Sequence, residues 1–155
     1  MERITLAALH LLALGFGFGA IMARWITLRR PLDLAAVKRV LHFDSQWAIA
    51  AGLWIVTGLW RWLGSVEKAS SYYNGNHLFL AKLGCLTLIL LLEVWPMVTL
   101  IRWRIALGRG AGVDSLPNAG AARGISNISA VQALLVATMV FLAAAMARGY
   151  GVVGR

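Results

Sequence analysis

Four of the ionisable side chains that interrupt the apolar segments of this chain are of types that could support chemistry. His10 lies in the first apolar segment, and His77, Lys82 and Glu93 follow one another along the third. An ionisable group inside a membrane span costs free energy, so it marks a substrate, ion or cofactor site by default. Imidazoles could ligate a metal, an ammonium could bind an anion, and a carboxylate could pair with a cation or carry a proton.

The segment that carries three of these side chains, between His77 and Ile101, is nearly all apolar. As a helix that rises about 1.5 Å per residue, it would be roughly 37 Å long, enough to cross a bilayer with some tilt. Comparable segments lie at about 4–25, 45–63 and 128–147. The pattern predicts an all-α fold, an integral membrane four-helix bundle in up-down-up-down order, with residues 1–155 forming one membrane domain.

The basic segment 26–43 predicts a short interfacial helix between spans one and two. Pro31 suits a helix start, and Leu34 and Val37 begin an apolar face with basic residues opposite, as in a helix lying on a membrane surface. Asp44 would then be the N-cap of span two, and Asn76 the N-cap of span three.

Composition narrows the class of protein. The chain is 60% hydrophobic, and its mean hydropathy is +0.74. Its net charge of +9 does not indicate nucleic-acid binding, because the basic residues lie at the ends of apolar segments. The one cysteine, Cys85, allows no intrachain disulfide, no CxxC site and no covalent CxxCH haem attachment. The connectors 1–2 and 3–4 carry the excess of Lys and Arg, which predicts that both termini lie outside the cytoplasm.

Helical spacing places His10, Gly17 and Arg24 on one face of span one, with small residues between them. The predicted topology puts His10, His77 and Lys82 in the outer half of the bilayer, where spans one and three can face each other. We therefore predict a haem b site. His10 would be the main iron ligand and His77 the second, while the Gly17 face would form an apolar wall for the porphyrin. Lys82, the candidate catalytic residue, would contact a propionate or an anionic substrate.

Plainer roles compete with each of these assignments. His10 could hydrogen-bond to a neighbouring helix, His77 could lie among lipid headgroups, and Lys82 could extend its ammonium to the interface. Zinc suits the pair of histidines less well, since a zinc site needs three or four ligands. Glu93 lies near the level of Arg24, so the two could form an ion pair, or Glu93 could belong to a proton relay.

Three stretches carry a resemblance to known proteins: LAALHLLALGFGFGAIMAR, LWIVTGLWR and YYNGNHLFLAKLGCLTLILLLEVWPMVTLIRWR. Together they resemble a bacterial family of small four-span membrane proteins of unknown function. That resemblance implies the bacterial inner membrane, and the excess of Lys and Arg in the connectors then predicts that both termini are periplasmic. His10 and Lys82 are also distantly similar to residues of the HemJ protoporphyrinogen oxidase family and the CopD-like membrane proteins. That similarity implies that His10 is an axial haem ligand and that Lys82 is essential.

Two functions follow as predictions. The first is an inner-membrane, haem b-binding helical bundle that serves electron transfer or porphyrin redox chemistry. The second is a non-enzymatic structural subunit that contacts a larger membrane complex, or another copy of itself, through its small-residue and tryptophan faces. A small transporter that uses Lys82 and Glu93 is disfavoured, because the sequence has neither an internal repeat nor a pair of interrupted spans.

Overall fold

The computed structural model describes residues 1–65, 70–112, 116 and 119–151. Across these ranges the regular structure is helical. The helices are α1 (Glu2–Leu28), α2 (Leu34–Leu63), α3 (Ser70–Asn74), α4 (His77–Gly108) and α5 (Ala119–Ala147). The predicted all-α fold is therefore confirmed for the part of the chain that the structure describes.

The predicted interfacial helix is not a separate element. α2 runs without a break from Leu34 to Leu63, and Asp33 is its N-cap, whose Oδ1 accepts a hydrogen bond from the backbone N–H of Ala36 at 2.6 Å. Asp44 lies inside this helix, so its prediction as the N-cap of span two is wrong. Val37, Val40 and Leu41 of this segment pack into the bundle core, whereas Leu34 is exposed, and that packing gives the helix no reason to end at the membrane surface.

The N-cap predicted for the third long helix is confirmed. Asn76 Oδ1 accepts hydrogen bonds from the backbone N–H groups of Leu78 at 2.9 Å and Phe79 at 3.3 Å, so α4 begins at His77. α4 then continues to Gly108, beyond the predicted end near residue 101, and α5 begins at Ala119 rather than near residue 128. Apolar composition predicts only the part of a helix that can lie in lipid. The helical backbone hydrogen bonds extend beyond the ends of that apolar part.

α1 packs along α2 and α5, and α4 packs mainly against α5. The close approach of α1 and α2 depends on Gly17, since a Cβ there would lie 3.1 Å from the Trp47 ring. α1 and α2 run in opposite directions, because His10 contacts Thr57 at one end and Arg24 contacts Asp44 at the other. α2 and α4 approach each other at only a few residues.

Three of the helical segments are long and apolar enough to cross a membrane: Glu2–Leu28, His77–Gly108 and Gly120–Ala147. α2 is not among them, since its apolar residues are mixed with groups such as Asp44 and Arg61. Large apolar side chains on α1, α4 and α5 are exposed, as a lipid-facing surface requires. The crossing of the membrane by α2 stays a prediction.

Candidate functional site

His10 is held in a defined orientation by α2. Trp54 Nε1–H donates to His10 Nε2 at 3.0 Å, and His10 Nδ1 lies 2.9 Å from Thr57 Oγ1. An indole nitrogen can only donate, so Nε2 is the acceptor and the ring proton is on Nδ1. The Thr57 hydroxyl donates in turn to the carbonyl of Leu53 at 2.7 Å. His10 is therefore a neutral imidazole with both ring nitrogens in hydrogen bonds.

Gly58 provides the space for this imidazole. A Cβ at Gly58 would lie 3.2 Å from His10 Cε1, closer than ordinary van der Waals contact allows. Thr57 and Gly58 follow Trp54 on the same turn of α2, which is why one helix both positions the ring and makes room for it. The sequence analysis did not identify Thr57, whose signal is its position next to Gly58 and about one turn after Trp54, on the same helix face.

His10 and Lys82, two of the predicted site residues, line the same cavity. Cavity A lies between α2 and α4 and has a volume of about 130 Å³. Its lining, mostly apolar, includes Trp54, Arg61, Phe79 and Met139 besides His10 and Lys82. Cavity B, of about 320 Å³, lies between α1 and α5 and is bordered by the same His10, Trp54, Arg61, Lys82 and Met139. These five residues therefore lie between the two cavities and line both of them.

At cavities A and B, the described residues place no acidic side chain next to Lys82. The ion pairs of the described residues involve Arg24, and no carboxylate among these residues lies within 4.0 Å of the Lys82 ammonium. A second cation, Arg61, lines the same two cavities. An ammonium that the described residues leave without a carboxylate, in a mostly apolar cavity, favours a bound anion.

The structure does not bring His77 and Gly17 to the same place as His10. His77 is exposed at the start of α4, where its backbone N–H donates to the carbonyl of Gly151 at 3.0 Å, and it lines neither cavity. The Gly17 face of α1 is covered by Trp47 and Ala50 of α2, so no slot for a planar ligand remains there. In the described ranges no group of three or more His, Cys, Asp or Glu side chains is placed to hold a metal ion.

A second polar cluster surrounds Arg24 at the other end of the bundle. Arg24 is fully buried, and the predicted ion pair with Glu93 is confirmed as a bidentate contact of 2.7 Å and 2.8 Å. Its other N–H groups donate to Asp44 at 3.0 Å, Ser129 at 2.9 Å and Gln132 at 2.9 Å. All five guanidinium N–H groups therefore have acceptors, which come from α2, α4 and α5.

The amide of Gln132 completes this cluster. Its oxygen accepts from Arg24, and its nitrogen donates to Glu93 at 2.7 Å and to the carbonyl of Ile89 at 3.2 Å. Gln132 is a strong hydrogen-bonding side chain in the last apolar segment, but the sequence gives no partner for it. Asp44 was assigned to a helix cap and Ser129 was not considered. A buried cluster in which every donor has an acceptor is typical of a structural role.

Comparison with known proteins gives one family. The family model described as "Predicted membrane protein (DUF2214)" matches residues 2–151. No curated protein and no solved structure matches the chain. The similarity to HemJ and CopD-like proteins is therefore not shown by these comparisons and stays a prediction.

Proposed function

The chain belongs to the DUF2214 family of predicted membrane proteins, and from that premise we propose that it is a membrane-embedded bundle that binds an amphipathic anion at Lys82. In this proposal α1, α2, α4 and α5 cross the bacterial inner membrane in up-down-up-down order, with both termini in the periplasm. The cavities beside His10 would then lie in the outer half of the bilayer, within reach of amphipathic molecules dissolved in that leaflet.

One observation carries the proposal: Lys82 lines an apolar cavity in which the described residues place no carboxylate against its ammonium. A fold that needed only stability would be better served by an apolar side chain there, because an uncompensated charge in such a site costs free energy. Ligand sites combine a mostly apolar lining with a few placed polar groups. Here Lys82 and Arg61 supply charge, and His10 supplies a ring of fixed orientation.

Haem b is the ligand of this class that the sequence itself predicts. Its two propionates are carboxylates attached to an apolar macrocycle, so Lys82 would pair with a propionate. His10 would reach iron only after Trp54 released Nε2, and His77 would reach it only after a larger rearrangement. The residues thus fit the propionates better than the iron, and we derive no redox step. Electron transfer or porphyrin redox chemistry would gain support only from the haem experiment below.

The test is a titration of the purified protein in lipid nanodiscs with palmitate and, separately, with haem. Tryptophan fluorescence reports binding, because Trp54 and Trp62 line cavity A. We expect Lys82→Met to weaken both ligands at least tenfold, while Lys38→Met, which removes an exposed lysine from α2, leaves the affinities unchanged. Equal affinities for the wild-type protein and Lys82→Met would overturn the proposal.

An absorption spectrum of the oxidised and dithionite-reduced protein, after expression with a haem precursor, tests the cofactor separately. Sharp reduced bands that disappear in His10→Ala and persist in His42→Ala would assign the iron ligand, since His42 is exposed at the other end of α2. A spectrum without a Soret band at good protein yield would remove haem b and leave the anion site to be judged by the palmitate titration.

The structural-subunit function keeps one supporting observation. α4 buries only 11% of its most apolar window, compared with 28% for α1 and for α5. Lipid alone can cover such a face, so the low burial of α4 supports a subunit function only if a protein partner is found to bind there. Reproducible co-purification of one membrane protein, lost when Leu91 and Trp95 of the exposed face are replaced by alanine, would favour the subunit function over ligand binding.

A further inference from the structure

The gap between α2 and α4 is closed at one end by aromatic rings. The rings of Trp62 and Phe79 have centroids 5.1 Å apart, and those of Tyr73 and Phe79 are 5.2 Å apart. Trp62 Nε1–H also donates to Asn74 Oδ1 at 3.2 Å, which ties the cover to α3. All three rings line cavity A, so they form its wall toward the end of the bundle that carries the chain termini.

The other end of the same gap is closed by a polar contact. Arg104 Nη2 donates to the carbonyl of Leu41 at 3.0 Å and to Ser45 Oγ at 2.9 Å, which holds α4 against the first half of α2. Between these two closures the helices make little contact. Leu59 of α2 and Leu83 of α4 lie between these two closures and line cavity A, and Leu59 is also exposed at the surface of the bundle.

The size of cavity A restricts how much of a ligand it can hold. Its volume of about 130 Å³ is well below the roughly 300–1,000 Å³ of sites that enclose a small molecule. It can take a carboxylate and the first part of one chain. Leu59 is 44% exposed, so the remainder of such a chain would extend past it onto the lipid-facing surface of the bundle.

On the basis of the proposed function, we infer that the ligand is a single-chain lipid anion that enters from the bilayer through the gap between α2 and α4. Its charged group lies at Lys82 and Arg61, and its chain leaves the bundle beside Leu59 and stays in contact with lipid. The rings of Trp62, Tyr73 and Phe79 close the direct route from water to cavity A. A water-soluble acid with the same carboxylate lacks the chain that the gap accommodates.

Matched tryptophan substitutions in the full-length protein in nanodiscs test the route. Leu59→Trp fills the side opening of cavity A, and Leu11→Trp makes the same change at an exposed leucine that lines cavity B. We expect Leu59→Trp to weaken palmitate binding at least tenfold and Leu11→Trp to change it less than twofold. The reverse result would place the route between α1 and α5 and overturn the inference.

Two further measurements keep the inference testable if Leu59→Trp folds poorly. On the wild-type protein, palmitate should bind at least a hundredfold more tightly than butyrate, and equal affinities would show that the carboxylate comes from water. A bound stearate with a nitroxide near its methyl end should be relaxed by oxygen dissolved in the bilayer, whereas a nitroxide near the carboxylate should be protected. Protection of both positions would show an enclosed ligand and contradict the side exit.

The outcomes separate this inference from the proposed function. If Lys82→Met abolishes palmitate binding but Leu59→Trp does not affect it, the anion site stands and the entry route is wrong. If Lys82→Met and the wild-type protein bind palmitate equally, the anion site itself is wrong.

Discussion

The two ends of this bundle each contain a cation among apolar helices, and the two cations are treated in opposite ways. Arg24 has five hydrogen bonds to acceptors from α2, α4 and α5, and two of those acceptors are carboxylates. Lys82 has Arg61 nearby, and the described residues place no carboxylate within ion-pair distance of it. A cation whose N–H groups all have acceptors is expected in a structural cluster. A cation that the described residues leave without a carboxylate is expected in a binding site.

The difference also shows that an ionisable residue in a membrane span is an ambiguous signal by itself. Glu93 and Lys82 lie on the same helix; Lys82 was the candidate catalytic residue, whereas Glu93 was open to an ion pair with Arg24 or to a proton relay. Only the partners decide between them: Glu93 completes the Arg24 cluster, whereas Lys82 faces a cavity. The proton-relay role of Glu93 would require a proton path through a cluster whose groups already bind one another.

Removal of the cation at the Arg24 end should have the largest effect. Arg24→Met leaves Glu93 and Asp44 without their shared partner, so we expect the free energy of unfolding to fall by about 3–5 kcal/mol. Arg39→Met, which removes an exposed arginine from α2, should cost less than about 0.5 kcal/mol. Unfolding in mixed detergent micelles measures both, and equal losses would contradict a structural role for the cluster.

Removal of the main partner together with Arg24 should restore part of that stability. In the double variant Arg24→Met with Glu93→Leu the bidentate pair is absent as a whole, so the carboxylate of Glu93 is no longer buried alone. We expect a recovery of roughly 1–3 kcal/mol over Arg24→Met, because a buried pair is often worth little more than an apolar replacement. A double variant less stable than Arg24→Met would mean that Glu93 has another important partner.

Removal of the cation at the Lys82 end should change the stability in the opposite direction. Lys82→Met replaces an ammonium that lacks a described acidic partner with an apolar chain of similar length, so we expect a gain in stability of about 1 kcal/mol. Thermal unfolding of the ligand-free protein in detergent is the measurement. A loss of stability comparable to that of Arg24→Met would show that Lys82 is structural and would remove the contrast between the two ends.

The smallest predicted effect concerns the placement of His10. Gly58→Ala introduces a methyl group 3.2 Å from His10 Cε1, whereas Gly52→Ala, on the same helix, meets nothing within 4 Å. We expect Gly58→Ala to weaken palmitate binding about threefold with less than about 0.5 kcal/mol change in stability. Gly52→Ala should leave binding unchanged. Equal binding by the two variants would indicate that the orientation of His10 does not matter for the ligand.

Several features of the site could be predicted from the sequence because they depend on helix geometry. The rise per residue places Glu93 near the level of Arg24 and puts His10 and Lys82 in the same half of the predicted bilayer. The structure pairs Glu93 with Arg24, and it brings His10 and Lys82 to one cavity. Periodicity could not reveal Asp44, Ser129 or Gln132 as partners of Arg24, since it says which residues share a face but not which neighbouring helix that face meets.

Helix boundaries likewise divide into those that local sequence predicts and those that depend on tertiary packing. The Asn76 cap was readable because a short polar side chain precedes a long apolar segment, and the cap bonds span only three residues. The break predicted before Asp44 was wrong, since the choice between a surface helix and a continuous helix depends on whether Leu34–Phe43 finds a core to pack against. Val37, Val40 and Leu41 do pack there, against Leu100 and Trp103 of α4.

The sequence by itself determined that this chain is a helical membrane protein and that its polar residues fall into two groups along the helices, because apolar content and helical spacing are local properties. Only the tertiary structure decided which neighbours each group of residues meets. Packing against Trp47 filled the Gly17 face, hydrogen bonds from Trp54 and Thr57 fixed His10, and the weak contact of α2 with α4 left Lys82 a cavity. Those outcomes depend on which helices become neighbours, and contacts between residues distant in sequence set that choice.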